Sequence, residues 1–277
     1  MDSFARQIAD MAVEALYAEL DTTPKPGLID KNNSGAHQDM DYNTMAKSIT
    51  ALTPYFGKFV QVAQNSNGLE QLATSLKLVG INAERAMYRA TNGVNTHKGA
   101  IFLFGLFIGA LCYKYDSEIT LGQVSFRMGK IAEVLSRMHT PERTHGNLAS
   151  QEYNIPTALE QAKSGFFPVL LESVYILLMC DDVDMSDNEA RVRALLNIMS
   201  CIEDTTVYYR GGKAGADMVK REVRQLIRDF SINGVERLDK KLIDSNISCG
   251  GSADLLALSI LVYNLYKQGL IDIGQEN

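Results

Sequence analysis

The chain has 277 residues, of which 46% are apolar and 22% charged, with a net charge of −6. That length fits one large domain or two small ones with a sizeable core. The acidic balance excludes global attraction to nucleic acid or to an anionic membrane, so the positive partners of any polyanionic ligand must be gathered locally.

Ile8, Met11, Ala12, Ala15 and Leu16 keep the i, i+3, i+4, i+7, i+8 spacing of one helical face and predict a helix over about 3–20. The stretch Met1 to Arg6 has no basic run leading into an apolar one, so secretion is not expected and a cytoplasmic location is the default. Segment 21–43 is the longest without helical period. A connection of that length in a compact domain is functional or disordered, and its two prolines, two glycines and Asp, Asn and His content favour an ordered, functional loop. Pro24 and Pro26 fix the backbone around Lys25 and present its ammonium at low entropic cost. A rigid connector with a solvated lysine is the alternative. Further on, His37, Asp39 and Asp41 fall within five residues. Alternating carboxylates can hold Mg²⁺ through oxygen and water, or one can act as a general base. Asp41 or Asn43 also suits the N-cap of the following helix.

Helices are predicted next over 44–65 and 69–91. The second carries the doublet Glu84-Arg85, ordinarily a surface ion pair, and stops at Thr91-Asn92-Gly93. Then comes the densest polar string, Asn95-Thr96-His97-Lys98, at the first turn of a helix predicted over 98–114. Free backbone N–H groups and the helix dipole favour an anion there, and Lys98 adds a formal charge. A buried, hydrogen-bonded imidazole is the alternative for His97. The apolar run Gly99 to Cys112 holds 14 residues. A bilayer needs roughly 20, so this is a buried core helix.

Helices follow over 118–138, 156–180, 187–203, 213–230, 233–244 and 251–267. Thr140-Pro141-Glu142 and Ser186-Asp187-Asn188-Glu189 supply start signals. In Arg210-Gly211-Gly212-Lys213, two glycines let backbone N–H groups approach a ligand and two cations flank them, as a phosphate site needs. A plain turn between helices is the alternative, and no Walker string occurs anywhere. Gly250, Gly251 and Ser252 open the last helix as another anion-receptive N-terminus, where Asp254 could orient a metal or a ribose hydroxyl. Cys112, Cys180, Cys201 and Cys249 form no C-x-x-C pair and signal neither zinc nor disulfides. Strand-like alternation is almost absent, and repeats and Pro/Gly/Ser-rich linkers do not occur. Residues 1–277 therefore read as a single all-α domain, with glycine-rich helix N-termini converging on a nucleotide site.

From about residue 20 to 265 the chain resembles the triphosphoribosyl-dephospho-CoA synthase family. The family strings T-P-K-P-G-L-V/I-D, N-N/S-G-A-H-x-D-M-D/N, G-V-N-T-H-K-G-A-I-F and G-G-S-A-D-L-L-A fall on Thr23 to Asp30, Asn33 to Asp41, Gly93 to Phe102 and Gly250 to Ala257. The resemblance implies a transferase that moves the triphosphoribosyl part of ATP to the ribose 2′-hydroxyl of 3′-dephospho-CoA and releases adenine. The product would be the precursor of the prosthetic group of citrate lyase, or of malonate decarboxylase in a sister system. It also implies Mg²⁺ with the ATP and an acyl-carrier or transferase partner downstream, but no particular oligomeric state.

On that reading Asp39 or Asp41 acts on the acceptor hydroxyl or holds Mg²⁺, and Glu84 stabilises the oxocarbenium-like centre. Lys25, Lys98 and Arg210 hold the triphosphate. His37, Asn95, Thr96, Gly211, Gly212, Gly250, Gly251, Ser252 and Asp254 complete the ATP site, and His97 binds phosphate or assists the leaving base. Three positions depart from the family pattern. Leu159 stands where an arginine is expected, Gln161 where a glutamate is, and Thr206 where an asparagine is. Those departures leave a nucleotide- or CoA-sensing relative without turnover as an alternative reading. A hydrolase attacking the same ribosyl bond is the third.

Overall fold

The computed structural model describes residues 3–138, 144–183 and 185–274, so the start signal at Thr140 to Glu142 lies outside the described residues. Among those residues the chain folds into α1 (Ser3–Leu20), α2 (Tyr42–Gln64), α3 (Leu69–Ala90), α4 (Lys98–Cys112), α5 (Leu121–Arg137) and α6 (His145–Tyr153). There follow α7 (Ala158–Ala162), α8 (Phe167–Asp182), α9 (Asp187–Cys201), α10 (Thr205–Arg228), α11 (Ile232–Asp244) and α12 (Gly250–Lys267). No strand forms among them. One isolated bridge, Thr120 with Asp272, ties the C-terminal segment to the start of α5.

Side-chain caps set most of the boundaries. Asp41 accepts from the Thr44 backbone N–H to start α2, Thr120 and Gln123 form a capping box on α5, and Ser186 caps α9. Three boundaries differ from the sequence reading. The span 156–180 is two helices, because Gly165 and Phe166 both take left-handed φ, +67° and +54°, between α7 and α8. Helix α6 was not expected. It buries only Ala149 and so carries no apolar stripe. A helical segment from Thr205 precedes the expected start at 213, and α10 joins the two across a kink at Gly212.

The buried apolar side chains join into a core with α4 and α12 at its centre. In α4, 12 of 15 residues are buried, Phe104 and Phe107 among them. Each such side chain stabilises by about 1.5–3 kcal/mol when removed from water. Around this pair, α1 packs on α2 and α12, α2 on α3 and α4, and α8 on α9 and α12. No helix of the described residues is long and apolar enough to cross a membrane. This packing brings the starts of α4 and α12, the start of α10 and the end of α1 to one place.

Candidate active site

Two carboxylates join three helix starts. Asp254, in the first turns of α12, accepts from the backbone N–H of Ala100 at the start of α4. It can do so because position 99 is glycine: a Cβ there would lie 2.0 Å from Asp254 Oδ2. Asp204 caps α10 through the Thr206 backbone N–H (3.0 Å) and caps α12 as well, accepting from the Ser252 N–H (2.9 Å) and hydroxyl (3.0 Å). The Gly251 N–H also points at it. The anion-receptive start expected at Gly250, Gly251 and Ser252 is therefore real, and the protein's own Asp204 occupies it.

Lys25 is brought to the same centre but is not presented to solvent. It is 1% exposed, and its ammonium donates to the Glu19 carbonyl (3.0 Å) and to Glu19 Oε1 (2.5 Å) at the end of α1. His97, 2% exposed, lies close enough to feel the Lys25 charge. Its Nδ1 is 2.8 Å from the Ser48 hydroxyl on α2, which accepts in turn from the Thr96 hydroxyl at 2.7 Å. The other ring nitrogen, Nε2, is buried with no hydrogen-bond partner. Buried polar atoms are rarely left so, and this one keeps an unused hydrogen-bonding valence.

Burial dominates the electrostatics. It lowers the His97 pKa to about 3, with Lys25 adding to the effect, so the imidazole is neutral. It raises the Glu19 carboxyl despite Lys25, and the Asp204 carboxyl despite its hydrogen bonds. Asp254 is raised well above the usual carboxylate range, first by burial and then by repulsion from Glu19 and Asp204. As a whole residue it is less deeply buried than Glu19 and Asp204, although its carboxyl is enclosed like theirs.

A second cluster lies on the next turns of α10. Arg210 donates to the Ala36 carbonyl (2.6 Å) and the Asn246 side chain (3.3 Å), with a further nitrogen 3.3 Å from His37 Nδ1. His37 Nε2 meets the Ser248 hydroxyl at 3.0 Å, just before α12. Burial and the Arg210 charge lower the His37 pKa, while Asp39, 3.6 Å away and largely exposed, opposes them. Gly211 and Gly212 lie at a kink between two helical segments, as the alternative of a turn between helices expected. They lie inside α10, where Gly212 breaks the helical path with φ +61° and ψ −169°, a conformation suited to glycine.

Lys98 pairs with Glu84 of α3 at 3.2 Å, which gives the acid of the Glu84-Arg85 doublet a partner on another helix, and Asn95 accepts from the Lys98 backbone N–H. Asp41 is separate from Asp39. It is the exposed N-cap of α2, and the Thr44 hydroxyl and N–H bonds lower its pKa. Among the described residues no group of three His, Cys, Asp or Glu side chains is placed to hold a metal ion.

The sequence reading missed Glu19, Ser48, Asp204 and Ser248. Two of these left a signal. Glu19 and Ser48 interrupt apolar stripes, at i+3 from Leu16 and i−4 from Leu52, where only a partnered polar group is tolerated. Of the three departures, Gln161 donates to the Glu203 carbonyl (3.0 Å) next to Asp204, Thr206 offers its N–H to Asp204, and Leu159 packs against the core.

Fold and centre define an all-helical protein that brings helix starts and buried acids together, with neither a P-loop nor a dinucleotide fold. The model of the CitG family, ATP:dephospho-CoA triphosphoribosyl transferase, matches residues 5–271. A Vibrio cholerae serotype O1 protein is 34% identical, over 96% of this chain and 90% of its own. One from Pseudomonas fluorescens is also 34% identical, over 97% and 95%. Both are provisionally named 2-(5''-triphosphoribosyl)-3'-dephosphocoenzyme-A synthase. The fold is also that of a crystal structure from Archaeoglobus fulgidus, provisionally assigned as a triphosphoribosyl-dephospho-CoA synthase. Its TM-score is 0.51 at 18% identity, covering 79% of this chain and 97% of that one. The chain belongs to the ATP:dephospho-CoA triphosphoribosyl transferase family.

Proposed function

We propose that the chain is a triphosphoribosyl-dephospho-CoA synthase and that its reaction runs where α4, α10 and α12 begin. The 2′-oxygen of 3′-dephospho-CoA forms a bond to the ribose C1′ of ATP, and the bond from C1′ to adenine breaks. The acceptor's proton goes to a base, and adenine leaves with the bonding electrons and takes up a proton. Asp254, a buried carboxyl driven to hold its proton, suits the donor to adenine. His97 Nε2 supplies one further hydrogen bond. Asp39, exposed beside His37, suits the base for the acceptor hydroxyl. Lys98 and Arg210 take phosphate oxygens, and Glu84 holds Lys98 in place until they arrive. Lys25 works from behind, its charge helping to keep His97 neutral. ATP enters as its Mg²⁺ complex, with the metal carried on phosphate oxygens. The product would serve as the precursor of the citrate lyase prosthetic group, handed on to an acyl-carrier or transferase partner.

One observation carries this reading. Asp254 on Ala100 and Asp204 on Ser252 bring the sequence strings at 93–102, 204–212 and 250–257 to a single buried centre. Incubation with MgATP and dephospho-CoA is expected to release adenine. Release without dephospho-CoA would make the chain a hydrolase instead, and no release would leave a binding protein. A Lys98→Met variant is expected to bind ATP at least about tenfold more weakly, because a hydrogen bond to a charged group contributes about 1.5–3 kcal/mol. Unchanged ATP affinity would remove Lys98 from the site.

A further inference from the structure

Helices α2 and α3 enclose a surface depression of about 360 Å³, lined by Tyr55 and Lys58 from one helix and Val79, Asn82, Arg85 and Arg89 from the other. No carboxylate lines it. The acid nearest in sequence, Glu84, is engaged with Lys98 instead. Asn82, Arg85 and Arg89 stand at i, i+3 and i+7, so they share one face of α3. Lys58 lies over the Tyr55 ring, 4.4 Å from its centroid. Among the described residues, Lys58, Arg85 and Arg89 make no ion pair. Lys130 with Glu133, Arg193 with Glu189 and Lys240 with Asp244, by contrast, are each neutralised within one turn. Three cations without an ion pair thus share one hollow in a chain of net charge −6.

We propose that this groove is an accessory binding site for the 5′-polyphosphate arm of a nucleotide, outside the transfer centre. Guanidinium forks and a nearby ammonium match phosphate oxygens, and the Asn82 amide adds a neutral donor. The volume lies in the range of small-molecule sites, roughly 300–1,000 Å³. A stable acidic protein partner would instead need about 800 Å² of contact on this face. The groove is also within reach of the centre. On α2, Tyr55 and Lys58 come seven and ten residues after Ser48, about 10 and 15 Å along the helix axis. On α3, Arg85 follows Glu84, the partner of Lys98. The polyphosphate belongs either to ATP or to dephospho-CoA. That assignment to a substrate rests on the transferase reading, whereas the anion chemistry of the groove does not.

The test compares wild type with an Arg85→Gln/Arg89→Gln variant and, from the opposite wall, Lys58→Gln. A Lys130→Gln/Lys240→Gln variant removes the same charge elsewhere. Calorimetric titration with inorganic pyrophosphate and tripolyphosphate is expected to show at least tenfold weaker binding for the arginine variant and several-fold weaker binding for Lys58→Gln, with the control unchanged. In adenine-release assays the arginine variant is expected to raise the KM of one substrate about tenfold with kcat within about twofold, and the substrate affected identifies the arm. Wild-type affinities and KM values in arginine and Lys58 variants that keep wild-type circular dichroism and thermal unfolding would overturn the groove, and so would wild type that binds neither probe. If wild type binds the probes through these residues yet releases no adenine, the groove stands and the transferase reading falls.

Discussion

At the scale of single residues, His97 shows how burial sets a titration that stability can report. An unfolded chain protonates this histidine near 6.5, whereas the folded one holds out to about 3. Between those values the unfolded state binds the extra proton, so acidification costs stability. From pH 7 to 4.5 the loss from this group is about 2–3 kcal/mol. Glu19, Asp204 and Asp254 have raised folded pKa values and act with the opposite sign, being stabilised by protonation as pH falls. The difference between wild type and His97→Asn isolates the histidine. Urea unfolding at the two pH values should show the wild type losing about 2 kcal/mol more than the variant. Parallel losses would mean that the imidazole is solvated or charged in the fold. Such a site was only half legible beforehand. The strings around Lys25, His97 and Asp254 announce polar chemistry, but their partners Glu19 and Ser48 lie on helices whose stripes read as core. Which buried acid meets which helix start is settled by tertiary packing, which no local spacing encodes.

Among the elements, α10 and α12 depend on one side chain. Asp204 satisfies N–H groups at both helix starts, each of which would otherwise be buried and unpaired. Loss of a helix cap costs about 0.5–2 kcal/mol, so Asp204→Ala is expected to destabilise by about 2–4 kcal/mol. Asp204→Asn, which keeps one accepting oxygen, should lose about half as much. Chemical denaturation measures both, and an alanine variant within about 0.5 kcal/mol of wild type would show that the two starts do not depend on Asp204. The same residue explains a segment that the spacing did not show. The glycines of Arg210-Gly211-Gly212-Lys213 read as the turn before a helix, and the path does break at Gly212, but a further helical segment starts upstream at the Asp204 cap before Thr205. Helices α1 to α4 were legible because α1 to α3 carry apolar faces of helical period and α4 is a continuous apolar run. Helix α6 has neither enough length nor enough burial to show.

Across the whole molecule, the loop 21–43 is the clasp that ties distant elements to the site. Gly27 and Asn33 both donate to Asp239 of α11, at 2.9 and 3.1 Å. The Thr23 backbone N–H donates to Asn188 of α9 (2.9 Å), while Ala36 and His37 hold Arg210 and Ser248. Each cation of the transfer centre is thus already satisfied by the protein: Lys25 by Glu19, Lys98 by Glu84 and Arg210 by Ala36. A phosphate reaching Arg210 or Lys98 must compete with those acceptors, so binding there has to be felt along the loop and at 245–249 together. Hydrogen exchange with and without MgATP tests this coupling. At ligand 100 times its Kd, openings linked to the site should slow by up to about 100-fold, or about 2.7 kcal/mol. Protection should rise jointly at 27–37, 95–100 and 245–252. Protection confined to 95–100 would mean that the nucleotide engages α4 alone and that the second cluster, with Arg210 and His37, serves the fold and not the ligand.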